Sequence, residues 1–279
     1  MISAQLNNPL QDDRPGFADL LRGWRKINKL SQGALSLDAG ISQRHLSFLE
    51  SGRSAPSRDM VLRLASAFEL PLRETNALLN AAGFANAFSQ KSLEDEDLAQ
   101  AKGALTMMLH HHEPYGAMVV DRNWNLLMMN DAVGKVFGEF IDPIGVWAEI
   151  GGLKPNVMRL TLHEKGMRPY IENFADMAAY FIHQLGSELS ANPFNREARE
   201  LLDEVQGYPN MPEDNVSAEG SVQPWLPLKL RKGGIALDFF SMISTFGTPQ
   251  DVTLQELRIE TFFPANESTE RYMNSLPAG

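Results

Sequence analysis

Residues 30–57 read LSQGALSLDAGISQRHLSFLESGRSAPS, and their spacing decides the fold of the first third of the chain. Ser31 stands at an N-cap position, its hydroxyl placed to accept a backbone N–H one turn on. Gln32 to Ala39 then form a helix that buries Leu35 and Ala39. Gly40 supplies the turn, because a left-handed residue costs glycine nothing. Ile41 plugs the corner, Ser42 caps again, and Gln43 to Ser51 form a second helix with Leu46 and Leu49 inward at i, i+3 spacing. Gly52 stops it. Gln43, Arg44 and Ser47 are left together on the solvent side. Two short helices around a glycine turn make a helix-turn-helix, whose second helix presents its outer face to base edges.

Outward from this core, Phe17 to Lys29 carry a helical stripe of Leu20, Leu21, Trp24 and Ile27. Pro56-Ser57 cap a fourth helix, Ser57–Phe68, which buries Met60, Leu64, Ala65 and Phe68. Pro71 opens a fifth, Leu72–Ala82, with Leu78 and Leu79 inward and Gly83 after it. The phrases FADLLRGWRKINKL, SQ..L....GIS..HLSFLESGR..PS and M..RLA.AF.L together resemble the repressor-type helix-turn-helix of the XRE/Cro family.

That resemblance implies a five-helix, all-α DNA-binding domain with base contacts from Gln43, Arg44 and Ser47. Arginine forks onto guanine O6/N7 and glutamine onto adenine N6/N7, each good pair discriminating by about 1–3 kcal/mol. Gln32 and Ser42 sit at helix N-termini, where side chain and backbone N–H hold phosphate. Arg53 and Arg58 flank the loop that runs along the DNA backbone in the family, and Arg22 is a weaker phosphate contact. Phe48 stands where many relatives carry a polar residue; its two roles are contact with a thymine methyl and packing against the next loop, of which packing is the one expected. Glu50 faces the basic loop, where it is expected to orient Arg53.

A net charge of −10 is unlike a DNA binder until the chain is divided. Residues 1–88 carry net +2, residues 14–58 net +5 and residues 89–279 net −12. The basic charge therefore sits with the recognition element. The 279 residues suggest two domains, and 43% hydrophobic residues suffice for real cores. There is no cysteine, hence no disulfide or thiolate chemistry. No apolar leader and no long apolar run is evident, which points to a soluble cytoplasmic protein.

The organisation expected is a polar arm over 1–15, the helix-turn-helix domain over 16–88, a connecting helix over 89–112, a second domain over 113–266 and a tail over 267–279. Composition shifts abruptly at SQKSLEDED, residues 89–97. Ala117–Asp121 and Asn125–Asn130 read as a β-hairpin, followed by a short helix capped by Asn130-Asp131. Pro155–His163, Tyr170–Leu189 and Asn195–Val205 read as helices, and Trp225–Arg231, Ile235–Phe246 and Leu254–Phe263 as strands. Two strands, a helical insert and three strands make a five-stranded antiparallel sheet with helices over one face, a PAS-like α+β arrangement. YGAMVVDRNWNLLMMN, RPYIENF and STFGTPQDVTLQELRIETFFPA resemble the MmyB-like ligand-binding domain that follows such helix-turn-helix domains in bacterial regulators, some of which are associated with fatty acids.

Within this second domain Trp124, Met128, Trp147, Met158, Phe174, Met177, Phe181, Phe239, Met242 and Phe246 form an aromatic and methionine set. Flexible methionine beside aromatics suits an adaptable apolar pocket as well as an ordinary core. Arg159, His163 and Arg168 are the groups available to an anionic ligand head and Asn130 is placed to donate from the sheet, the other reading of each being a surface salt bridge or a cap. His110-His111-His112 cannot converge on one metal, since neighbours on a helix diverge by about 100°. No nucleophile elbow or P-loop appears, so no catalytic residue and no cofactor is assigned, beyond a bound fatty acid or similar apolar ligand. The reading is a homodimeric bacterial transcription regulator that binds an operator in double-stranded DNA and senses a small apolar ligand. The rival is an antitoxin-like or scaffold protein whose second domain binds a protein partner, and a weaker one is an enzyme with a DNA-binding appendage.

Overall fold

The computed structural model describes residues 15–151, 154–212 and 225–277. All of the polar arm except Pro15 lies outside them. Among the described residues, those up to Ser89, together with Gln250–Val252, form one compact unit, and those from Gln90 to Pro249 and from Thr253 onward form the second.

The first unit is five helices: α1 (Phe17–Ile27), α2 (Gln32–Asp38), α3 (Gln43–Glu50), α4 (Arg58–Ala67) and α5 (Leu72–Ala81). The three serine caps act as their positions imply: Ser31 accepts from Ala34 N–H, Ser42 from His45 N–H and Ser57 from Met60 N–H. Gly40 and Gly52 have φ of +65° and +70°, where an L side chain would be strained. Leu21, Leu35, Leu46, Leu49, Leu64, Leu78 and Leu79 are completely buried in one core with Trp24 and Phe68.

The second unit begins with α6 (Ala99–His111) and a hairpin of β1 (Ala117–Val120) and β2 (Leu126–Met129). Its helical insert is α7 (Asp131–Phe140), α8 (Pro143–Ile150), α9 (Val157–Leu162), α10 (Phe174–Ala191) and α11 (Arg196–Gln206). The chain then adds β3 (Leu228–Lys232), β4 (Ile235–Ser244), α12 (Val252–Glu256), β5 (Arg258–Pro264) and α13 (Glu267–Ser275). The sheet is antiparallel throughout, in the order β2-β1-β5-β4-β3.

Several expectations are corrected here. The stretch read as a connecting helix is a layer of the second unit, because Leu105 and Leu109 of α6 bury against Ala117, Val119 and Ile259. Helices therefore cover both sheet faces. The insert packs on the other face, where Met118, Val120, Leu230, Leu237 and Phe239 join Phe181, Leu185 and Leu201. The C-terminal tail is largely the helix α13, capped by Asn266, with Met273 completely buried. Its Thr269 hydroxyl accepts the N–H of Asp238 on β4. The strand expected from Trp225 starts three residues later, after Pro227. The one expected from Leu254 starts at Arg258, after α12. The helix α8 was not anticipated, although Asp142 caps it and Pro143 opens it.

Candidate functional site

The outer face of α3 is set by its inner one. Leu46 and Leu49 are buried, so Gln43 and Arg44 are exposed and Ser47 is half-buried one turn on. Phe48 is half-buried beneath Arg44, whose guanidinium carbon lies 5.4 Å from the ring centroid, and its carbonyl accepts the N–H of Arg53 and Ser54. A stacked guanidinium keeps its fork pointing outward and loses less freedom on binding. Ser42, Arg53 and Arg58 are exposed around this helix.

Glu50 does not orient Arg53. It is buried, and its carboxylate takes Arg25 through Nε and Nη2 at 2.5 and 3.0 Å and the Gln32 amide at 2.8 Å. Burial pushes this carboxyl up, but the hydrogen bonds and charge of Arg25, with the Gln32 bond, outweigh it and hold Glu50 below the ordinary range. Arg25 is raised in turn, chiefly by the hydrogen bond to Glu50. Gln32 thus spends one amide hydrogen on Glu50 and keeps one for another acceptor. The clamp ties α1 and α2 to the C-terminal end of α3.

In the second unit the structure brings together Met158, Met177, Phe181 and Phe239, with Trp147 and Phe174 packed against them. Met128 and Met242 are not part of this set. Successive side chains on a strand alternate faces, so Met242, three residues from Phe239, points the opposite way and is 58% exposed. Met128 pairs with Val119 and joins the layer under α6.

The expected polar groups are mostly engaged elsewhere. Asn130 uses its whole side chain internally, accepting from Ala117 and Val133 N–H and donating to the Leu109 and Tyr115 carbonyls. Arg159 forks onto Glu204 at 2.7–3.0 Å, and Tyr208 donates to the same carboxylate at 2.7 Å. His163 lies edge-on to Tyr208. Arg168 donates Nη2 to the Asn210 carbonyl and sits over Phe174, with Nη1 buried and without a partner among the described residues. Arg159 and Asn130 therefore spend their side-chain hydrogen bonds within the fold.

Two concave regions stand out. One of about 540 Å³ lies between the end of α6, the β2–α7 turn and Leu276-Pro277, and includes Met128 and Asn130 in its wall. The other, about 650 Å³, is an open hollow beside Phe140, Tyr170 and Lys232. Neither is lined by Phe174, Met177, Phe181 or Phe239.

Residues 21–74 match the helix-turn-helix family model, and residues 101–276, more than half of the chain, match the model of the MmyB-like transcription regulator ligand binding domain. The chain belongs to the MmyB-like transcription regulators. No curated protein matches it. Among solved structures it is similar to the restriction-modification controller protein C.AhdI from Aeromonas hydrophila, at 30% identity over 21% of this chain and 89% of that one, TM-score 0.21. An RNA-binding light-oxygen-voltage receptor matches at 14% identity over 95% of this chain and 63% of that one, TM-score 0.31. Among the described residues of this MmyB-like regulator, no helix is long and apolar enough to cross a membrane, and no group of three or more His, Asp or Glu is placed to hold a metal.

Reading the sequence missed a polar cluster on the sheet face that bears Phe239. Arg258 and Glu260 of β5 pair with Val120 and Met118, whose side chains face the insert. Arg258 bonds Glu188 of α10 at 2.8 Å and stacks on Trp124 at 5.2 Å. The signal was present in RIETFF: its period-2 pattern puts Ile259 under α6 and sends Arg258 and Glu260 to the other side.

Proposed function

We propose that this MmyB-like regulator is a sequence-specific, double-stranded DNA-binding protein that works as a homodimer in the cytoplasm. In this reading Gln43, Arg44 and Ser47 read bases, while Gln32, Ser42, Arg53 and Arg58 hold phosphates. The second domain, which we take as PAS-like, senses a small apolar ligand of fatty-acid-like chemistry and has no enzymatic role. The observation that carries the DNA assignment is the α3 face, exposed at Gln43 and Arg44, with Arg44 propped on Phe48. The match of residues 101–276 to the MmyB-like ligand binding domain supports the ligand assignment. Burying ten methylenes supplies roughly 8 kcal/mol before association costs. A ligand favouring one DNA-competent state shifts the equilibrium by its difference in affinity for the two.

A salt titration separates phosphate contacts from base contacts. Removing one phosphate contact lowers the slope of log affinity against log salt by about 1. Arg53→Ala is expected to weaken all duplexes alike and to flatten the slope by that amount, measured by fluorescence anisotropy. An unchanged slope would remove Arg53 from the interface.

A further inference from the structure

The cluster around Arg258 holds two features that a self-contained core does not need. Trp124 is 1% exposed, yet among the described residues its indole Nε1–H has no acceptor, and the Nη1 of Arg258, stacked on that ring, is buried without one. Buried donors without partners are rare in folded proteins, and two within one stacked pair are rarer. Trp124 also has φ of +64°, a conformation that bulky residues seldom adopt. It is fixed there by its N–H on the Asp121 carbonyl and its own carbonyl on Val157 N–H.

The charges nearby select the kind of acceptor. Arg258 is already matched by Glu188, which also takes Gln184 at 3.3 Å. Glu260, on the same face two residues along β5, is pushed up to about 7 by burial, partly offset by a hydrogen bond with Ser241 of β4. Tyr180 of α10 is raised by burial and by Glu260, against the pull of Arg258. A carboxylate bound here would add an anion to two existing carboxyl groups around a single cation. A neutral oxygen needs no counter-charge. Tyr180 and Ile243, 41% and 44% exposed, give the cluster a rim, and Phe181, in edge contact with both Tyr180 and Trp124, leads to the apolar set.

We propose that the stacked Arg258–Trp124 pair is the polar anchor of this domain's ligand and takes a neutral carbonyl oxygen, as in an acyl amide or ester, through the guanidinium Nη1–H and the indole Nε1–H. This rests on the reading of the domain as a sensor of an apolar ligand, and it replaces the anionic head group expected from Arg159 and Arg168 with a neutral one.

The test is calorimetric titration of the full chain at pH 8 with decanamide and, separately, decanoate, which share a chain and differ in head group. Decanamide is expected to bind at least about tenfold more tightly. Arg258→Lys keeps the charge opposite Glu188 but loses the forked donor, and Trp124→Phe removes only the N–H from a similar ring. Each is expected to weaken decanamide about tenfold and leave decanoate unchanged. Decanoate binding as tightly as decanamide, or folded variants that keep the wild-type preference, would overturn the anchor while leaving the apolar-ligand reading in place. Binding of neither compound would overturn that reading together with the anchor.

Discussion

Glu50→Ala should destabilise the N-terminal unit by about 3–5 kcal/mol, the cost of removing one partner from a buried ion pair. The carboxylate is the meeting point of Arg25 from α1, Gln32 from α2 and its own helix α3. Its loss leaves a guanidinium half-buried, with only the Leu30 carbonyl at 3.0 Å remaining among the described residues. A cost of that size is a large part of the stability of a small helical unit. The pH dependence follows from the sign of the shift. The folded carboxyl titrates below its unfolded value of about 4.3, so its contribution is full above that value and is lost as pH falls through the lowered one. Hydrogen exchange at the Leu21, Leu46 and Leu49 amides reads this unit alone within the whole chain. A loss below 1 kcal/mol would show that the clamp holds little.

Met273→Ala should cost about 2–5 kcal/mol in the second unit, the range for a buried methionine that leaves a cavity. Met273 is completely buried in the core of the insert, and α13 is tied to β4 through Thr269 and Asp238. Truncation before Asn266 should be more severe, since it also strips the cap and the Thr269 acceptor. If the segment were a loose tail, both changes would leave the melting temperature unmoved.

What could be read in advance follows the range of the signal. Ser31, Ser42 and Ser57 bond within three residues of themselves, and Gly40 and Gly52 answer to their own φ, so the helix-turn-helix was legible in detail. Strand existence was legible from apolar runs, but strand faces were not assigned. That is why Met242 and Met128 were grouped with Phe239, although spacing alone places Met242 opposite. The helix α13 had a local cap in Asn266, but its polar surface hid the single methionine that docks it. Pairings between distant residues carried no sequence signature. Glu50 with Arg25, Arg159 with Glu204 and Arg258 with Glu188 are separated by 25 to 70 positions, and the first two decided whether a candidate group was free.

The central claim is that α3 reads sequence, and binding-site selection from a random duplex pool tests it most directly. A dimer should enrich two half-sites about 34 Å, or a multiple of that, apart. Arg44→Ala should lose preference at one base step in each half-site, by about 1–3 kcal/mol, with the rest of the motif retained. Enrichment of the same motif by wild type and Arg44→Ala, or of no motif at all, would contradict the account.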